Sequence, residues 1–125
     1  MTIKQNGGIF GRNPSFGNVT VDKQTFSQGS DITIASGEIT PTNSFHRLDT
    51  ESAAATDDLD TINGGEIGQI IILKPAFGSR TIVVKDNTGN IQTAGGTDFT
   101  MDDARDVIIL IYDGNNWIEI SSVQT

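Results

Sequence analysis

The run Val107-Ile108-Ile109-Leu110-Ile111-Tyr112 constrains this chain more than any other feature. It is six apolar or aromatic residues in succession, bounded by Asp106 on one side and the turn signal Asp113-Gly114 on the other. A second run, Gln69-Ile70-Ile71-Ile72-Leu73, has the same character. β-Branched residues suit a pleated strand, and runs this short have strand length rather than helix length. A strand that alternates apolar and polar residues hides one face, whereas a strand apolar throughout has two faces to hide. These runs are therefore expected to be covered by a second sheet on one side and by a neighbouring subunit on the other. Ile71, Leu73, Ile109 and Ile111, together with Trp117, are the candidate core or oligomer-interface residues.

Around these runs the chain reads as short strands separated by turn residues. Asp31–Ala35, Glu38–Thr40, Ser44–Asp49, Arg80–Lys85 and Trp117–Ser121 carry strand patterns, the last placing Trp117, Glu119 and Ser121 on one face. Asp113-Gly114-Asn115-Asn116 and Asp86-Asn87-Thr88-Gly89-Asn90 are hairpin-type turn sequences. No stretch of ten residues combines helical period with caps, and residues 53–59 favour a loop or cap. The expected fold is all-β, an antiparallel β-sandwich or flattened barrel of roughly eight strands.

Residues 1–28 differ from the body at 29–125. Gly7, Gly8, Gly11, Pro14 and Gly17 interrupt any periodicity, and Phe10, Phe16 and Phe26 stand apart from one another. Burying three Phe side chains contributes about 5–9 kcal/mol, whereas ordering each backbone costs about 1–2 kcal/mol. Such an arm gains fixed structure only by pairing with, or burial against, a partner. Ile9, Phe10, Arg12, Phe16 and Phe26 are its candidate docking residues.

The 125 residues carry sixteen acidic and eight basic side chains, a net charge of −8, which disfavours nucleic acid and anionic lipid as partners. No apolar run approaches a membrane span, and residues 1–8 lack the apolar core of a secretory signal, so synthesis and assembly in the cytoplasm are expected. There is no cysteine, hence no disulfide and no thiolate metal site.

Candidate chemistries were weighed against simpler roles. The aspartate groups Asp57, Asp58, Asp60 and Asp102, Asp103, Asp106 lack calcium-loop spacing and suit turn capping. A glycosidase pair depends on a separation that sequence does not give. His46, the single histidine, shares a strand face with Leu48 and reads as a half-buried or interface residue rather than a base. Gly64-Gly65-Glu66-Ile67-Gly68 has no following Lys-Ser or Lys-Thr for a phosphate cradle and reads as a turn. Tyr112 and Trp117 read as sheet anchors before sugar-stacking rings. Asn18-Val19-Thr20 is a chance glycosylation match. No cofactor, metal or catalytic set is expected, and the chain is read as non-enzymatic.

Two sets of segments resemble known proteins. Residues 6–21, from Asn6-Gly7-Gly8-Ile9-Phe10 to Asn18-Val19-Thr20-Val21, resemble the N-terminal stretch of fibre proteins of tailed bacteriophages. His46–Glu51, Ala55–Gly65, Gly68–Leu73 and Leu110–Trp117 resemble a small domain of phage fibre and head-decoration proteins. The resemblance implies a homotrimer of β-domains on the virion surface, held by its N-terminal arms to a capsid or other virion protein. The near absence of a repetitive shaft turns the expectation towards a short head fibre or capsid decoration protein. The alternative is a tail-fibre or collar component with a receptor-binding tip near Asn87 and Asn115, and a polysaccharide-degrading enzyme is a distant third.

Overall fold

A computed structural model describes residues 15–125. Eleven strands run through them: β1 (Ile32–Thr33), β2 (Glu38–Ile39), β3 (Phe45–Asp49), β4 (Thr56–Leu59), β5 (Thr61–Ile62), β6 (Ile70–Pro75), β7 (Thr81–Val84), β8 (Ile91–Gln92), β9 (Phe99–Met101), β10 (Val107–Tyr112) and β11 (Trp117–Val123). They form a six-stranded sheet in the order β1-β3-β6-β10-β11-β8, a three-stranded sheet β4-β7-β9, and the pair β2-β5. The only helical turns among the described residues are single 3-10 turns at Glu51–Ala53 and Ala94–Gly96.

The sheets are mixed, not antiparallel as expected. β3 runs parallel to β1 and β6, β4 to β7, β2 to β5, and β8 to β11, while β10 is antiparallel to both β6 and β11 and β7 to β9. Parallel neighbours need a crossover, usually a helix. Here the crossover between β3 and β6 consists of β4 and β5 in the other sheets, so the chain winds in laps and the parallel-paired strands meet partners a lap later, whereas β10 and β11 form a hairpin. The same winding accounts for Asp86–Asn90, a hairpin-type turn sequence: β7 leads instead to β8, which joins the six-stranded sheet beside β11.

Strands β4, β5, β8 and β9 lay beyond the sequence reading. β4 contains Asp57 and Asp58, which strand preferences disfavour. It forms because its backbone pairs with β7 from Thr56↔Thr81 to Leu59↔Val84, and because Leu59 is buried in the core. β11 departs from its expected alternation through a bulge. Glu119 lies opposite Leu110 and Ser121 opposite Ile109, so Ser121 turns to the face away from Trp117 and Glu119.

Inward side chains from all three sheets form one core. Ile71 and Leu73 of β6, Ile108 and Leu110 of β10, Leu48, Leu59, Ile82, Ile91, Met101 and Trp117 are all buried to within 1%. The Trp117 indole N–H donates to the Ile62 carbonyl at 3.2 Å, joining the six-stranded sheet to the β2-β5 pair. Gly65 is required beside it, because a Cβ there would lie 2.7 Å from the indole and 2.8 Å from the Tyr112 ring. Thus Ile71, Leu73 and Trp117 belong to the core, and Ile109 and Ile111 do not.

Ile71→Ala should lower unfolding stability by about 2–5 kcal/mol through lost burial and a cavity. Val83→Ala, on the solvent side of β7, should change it by only about 0.5–1 kcal/mol. Urea titrations of both variants check the contrast.

Candidate interaction surfaces

The two broad sheets have unlike outer faces. On the three-stranded sheet the outward positions Thr56, Asp58, Thr81, Val83 and Thr100 are mostly polar. On the six-stranded sheet, register brings Phe45, Ile72 and Ile109 into one row and Ile70, Ile111 and Ile118 into the next. All six are partly exposed, and Ile120 in the bulged segment is 54% exposed. Arg47 and Lys74 lie opposite one another at one end of this face, and Arg47 is held by Asp31 at 2.9 Å. No carboxylate comes from the outward positions of β6 and β10, although the chain is strongly acidic; β3 contributes only Asp49 at its end, where Arg80 pairs with it. The expected covering of β6 and β10 is therefore internal on one side only.

The arm joins the body at one end of this sheet. Gln28 bridges to Phe45, the Gly29 N–H donates to the Phe45 carbonyl at 2.8 Å, and the Asn43 amide donates to the Ser27 carbonyl. His46 is the pin of this junction. Its Nε2 accepts from the Thr42 and Asn43 N–H groups at 3.1 and 2.9 Å, which assigns the proton to Nδ1, where it is donated to the Ser30 carbonyl at 2.8 Å. The ring is 1% exposed, and a Cβ on Gly29 would lie 2.2 Å from its Cε1. Both nitrogens are committed, so His46 is a structural residue. Phe16, Val19 and Val21 are exposed on the arm and Phe26 is partly buried. Ile9, Phe10 and Arg12 lie outside the described residues.

The aspartates cap turns. Asp57 accepts from the Glu51 and Asp58 N–H groups, and Asp113 from those of Asn115 and Asn116. Asp106 is fully buried and accepts from the Asp102 and Asp103 N–H groups and from the N–H and hydroxyl of Thr125. Burial opposes its ionisation, but these donors outweigh burial and hold its pKa below the ordinary aspartate value. Arg80 likewise holds Asp49 low. Among the described residues, no group of three or more His, Asp or Glu side chains is placed to hold a metal ion.

Loops divide between the two ends of the six-stranded sheet. The arm junction, residues 63–69, the Asp86–Asn90 turn and the 113–116 hairpin share one end. Residues 50–55, 76–80 and 102–106 share the other: Thr81 N–H donates to the Ala55 carbonyl, and Gly78 packs against Ala104. Asn87 and Asn115, expected near a receptor-binding tip, therefore lie at the arm end.

Together these features define a lap-wound β-sandwich that presents surfaces, with an arm pinned to one end. Residues 40–118 match the model of the phage depolymerase C-terminal beta sandwich domain, and the chain belongs to that family. Comparison with curated proteins finds no match. The matched span runs from just before β3 into the start of β11, so β1 and β2 add strands outside it. The family gives a phage protein with a β-sandwich body; its description does not extend to head fibres or capsid decoration.

Asp106→Asn tests the buried carboxylate. An aspartate whose folded pKa is depressed contributes stability above its unfolded value of about 3.9, and that contribution is lost as pH falls through the folded value. The variant should therefore be less stable than the parent at pH 7, with the difference closing below about pH 4, as measured by thermal unfolding across pH.

Proposed function

We propose that the chain is a non-enzymatic virion component of a phage tail fibre or spike, working as a homotrimer. The observation that carries this reading is the isoleucine-rich outer face of the six-stranded sheet, free of carboxylates on its central strands. A second copy is its natural occupant, because a mutually repelling acidic chain can approach itself closely only where it carries no acid. Three copies also suit the arm. Docking that is weak for one exposed segment becomes strong when three are tethered together.

Family membership favours the tail over the head, since the domain is one of phage depolymerases. The committed state of His46 and the capping roles of the aspartates support a structural rather than catalytic role. Virion surface placement, with the arm held by another virion protein, follows from the same reading.

Ile109→Glu combined with Ile111→Glu should give a folded monomer of about 13 kDa by light scattering, because both side chains lie outside the core. An oligomer unchanged by both substitutions would contradict the proposed interface. Removal of residues 1–28 should leave the oligomer intact and abolish co-sedimentation with particles that lack this protein; loss of the oligomer would instead make the arm part of its core.

A further inference from the structure

Every outermost strand among the described residues carries a guard against pairing with another chain. β1, β8 and both strands of the β2-β5 pair are two residues long. β4 carries Asp57 and Asp58, and β9 is three residues set between Asp98 and Asp102. Shortness and charge are common ways of keeping an edge from being extended. β11 is different, because it lies inside β8 but outlasts it. It runs from Trp117 to Val123, whereas β8 pairs only with Trp117 and Ile118. Beyond Ile118 its outer side has no partner strand among the described residues. Glu119, the last charge on the strand, accepts from the Ala94 N–H. The remaining stretch, Ile120-Ser121-Ser122-Val123, is uncharged, and Ile120 and Val123 are exposed. In its antiparallel ladder with β10, every second residue directs its N–H and C=O away from β10.

A segment of matching character lies in the arm. Asn18-Val19-Thr20-Val21 is uncharged, alternates, and is rich in β-branched residues, which suit a strand. It enters no strand of its own chain, and Val19 and Val21 are exposed. The arm and the open edge lie on opposite sides of the six-stranded sheet. The arm enters beside β1 and β3, and β11 is three strands away from β3.

We propose that Asn18–Val21 of one copy pairs as an added strand with Ile120–Val123 of a neighbouring copy, so that arms are exchanged around the oligomer. This rests on the homo-oligomer reading above. In a ring of copies the contacts are heterologous, so one edge of each copy meets the opposite edge of the next. β11 begins at the arm end, after the 113–116 hairpin, and its open stretch leads away from that end. Extended chain from Gln28 back to Val21 spans about 23 Å, against about 5 Å between paired strands. Main-chain bonds of this kind supply affinity, and they give the arm the backbone pairing that its Phe side chains cannot replace. Ser121 and Val123 lie opposite Ile109 and Val107, so an added strand carrying Val19 and Val21 extends the apolar outer face. The copy's own arm is the poorer occupant, because it would have to cross the outer faces of β6 and β10, which the oligomer buries. The outer isoleucine rows still carry the oligomer, and the arm before Gly17 is left for the virion partner.

The chain has no cysteine, so disulfide trapping has no background. Full-length chains carrying Thr20→Cys or Asn18→Cys would be co-expressed, under different tags, with chains carrying Ser121→Cys or Ser122→Cys, and then oxidised. The expected product is a covalent dimer of two unlike chains in at least one of the four pairings, since facing strand residues suit disulfide geometry. Val19→Pro in the arm-bearing chain should abolish it, because proline removes a ladder donor where the chain has no strand of its own to lose. In the parent, alternate amides of 120–123 should resist hydrogen exchange, and Val19→Pro should remove that protection while leaving β10 protected. Light scattering of the same samples separates the two readings. An oligomer of normal mass with no unlike-chain dimer in any pairing would overturn strand exchange alone, whereas a monomer would overturn the oligomer with it. A disulfide formed only within a single chain bearing both cysteines, or one that survives Val19→Pro, would also overturn the exchange.

Discussion

β6 and β10 lie side by side at the centre of the six-stranded sheet, and their pairing sets two faces at once. Ile71 opposite Leu110 turns inward with Leu73 and Ile108, while Ile72 opposite Ile109 and Ile70 opposite Ile111 turn outward. A one-residue slip would exchange these sets. Because both sets are apolar, the pair itself resists such a slip weakly. Register comes from the polar residues around it: Lys74 at the end of β6, Asp106 buried behind the start of β10, and the Asp113 turn that closes the hairpin to β11. Four donors, the Asp102 and Asp103 N–H groups and the N–H and hydroxyl of Thr125, meet the Asp106 carboxylate only when β10 begins where it does.

How far this structure is legible in the sequence depends on the range of the forces involved. Val107–Tyr112 coincides with β10, and the Asp113–Asn116 turn joins it to β11, because hydrophobic run and turn chemistry are local. The inward position of His46 beside Leu48 also follows from local alternation. Parallel pairing does not. Nothing within Phe45–Asp49 says that its neighbour is Ile70–Pro75 rather than an adjacent hairpin partner, since the choice depends on burying Leu48 and Leu73 in the same core. β4 is less legible still, as its aspartates argue against a strand and its pairing with β7 is formed a full lap away.

Residues legible as important were not always legible in role. Ile71 and Ile109 belong to equally apolar runs, yet one is buried by the fold and the other faces outward. Hydrophobicity alone cannot separate them; only the position of the second sheet does. The contact of Phe77, Arg80 and Asp49 is not legible in the sequence, for a related reason. Asp49 precedes Arg80 by 31 residues along the chain, and the two meet because parallel β3 and β6 end together. The signal that could have found them is slight: a lone Phe followed by Gly-Ser-Arg between two strand patterns.

Lap winding has a further consequence for how surfaces are distributed. In a hairpin-built sandwich, successive loops alternate between the two ends. Here parallel strands leave the sheet at the same end, so the loops after β3 and β6 are neighbours, and the loop before β10 joins them from the antiparallel side. The arm joins the body, and β3 and β6 begin, at the opposite end. One end thus gathers the junction with the arm, pinned by His46, and the other gathers three loops that differ in sequence but share a floor of paired strands. The two ends can change independently, since substitutions in the three loops leave both the His46 pin and the outer isoleucine rows untouched. The mixed topology, rather than the sandwich as such, is what separates them.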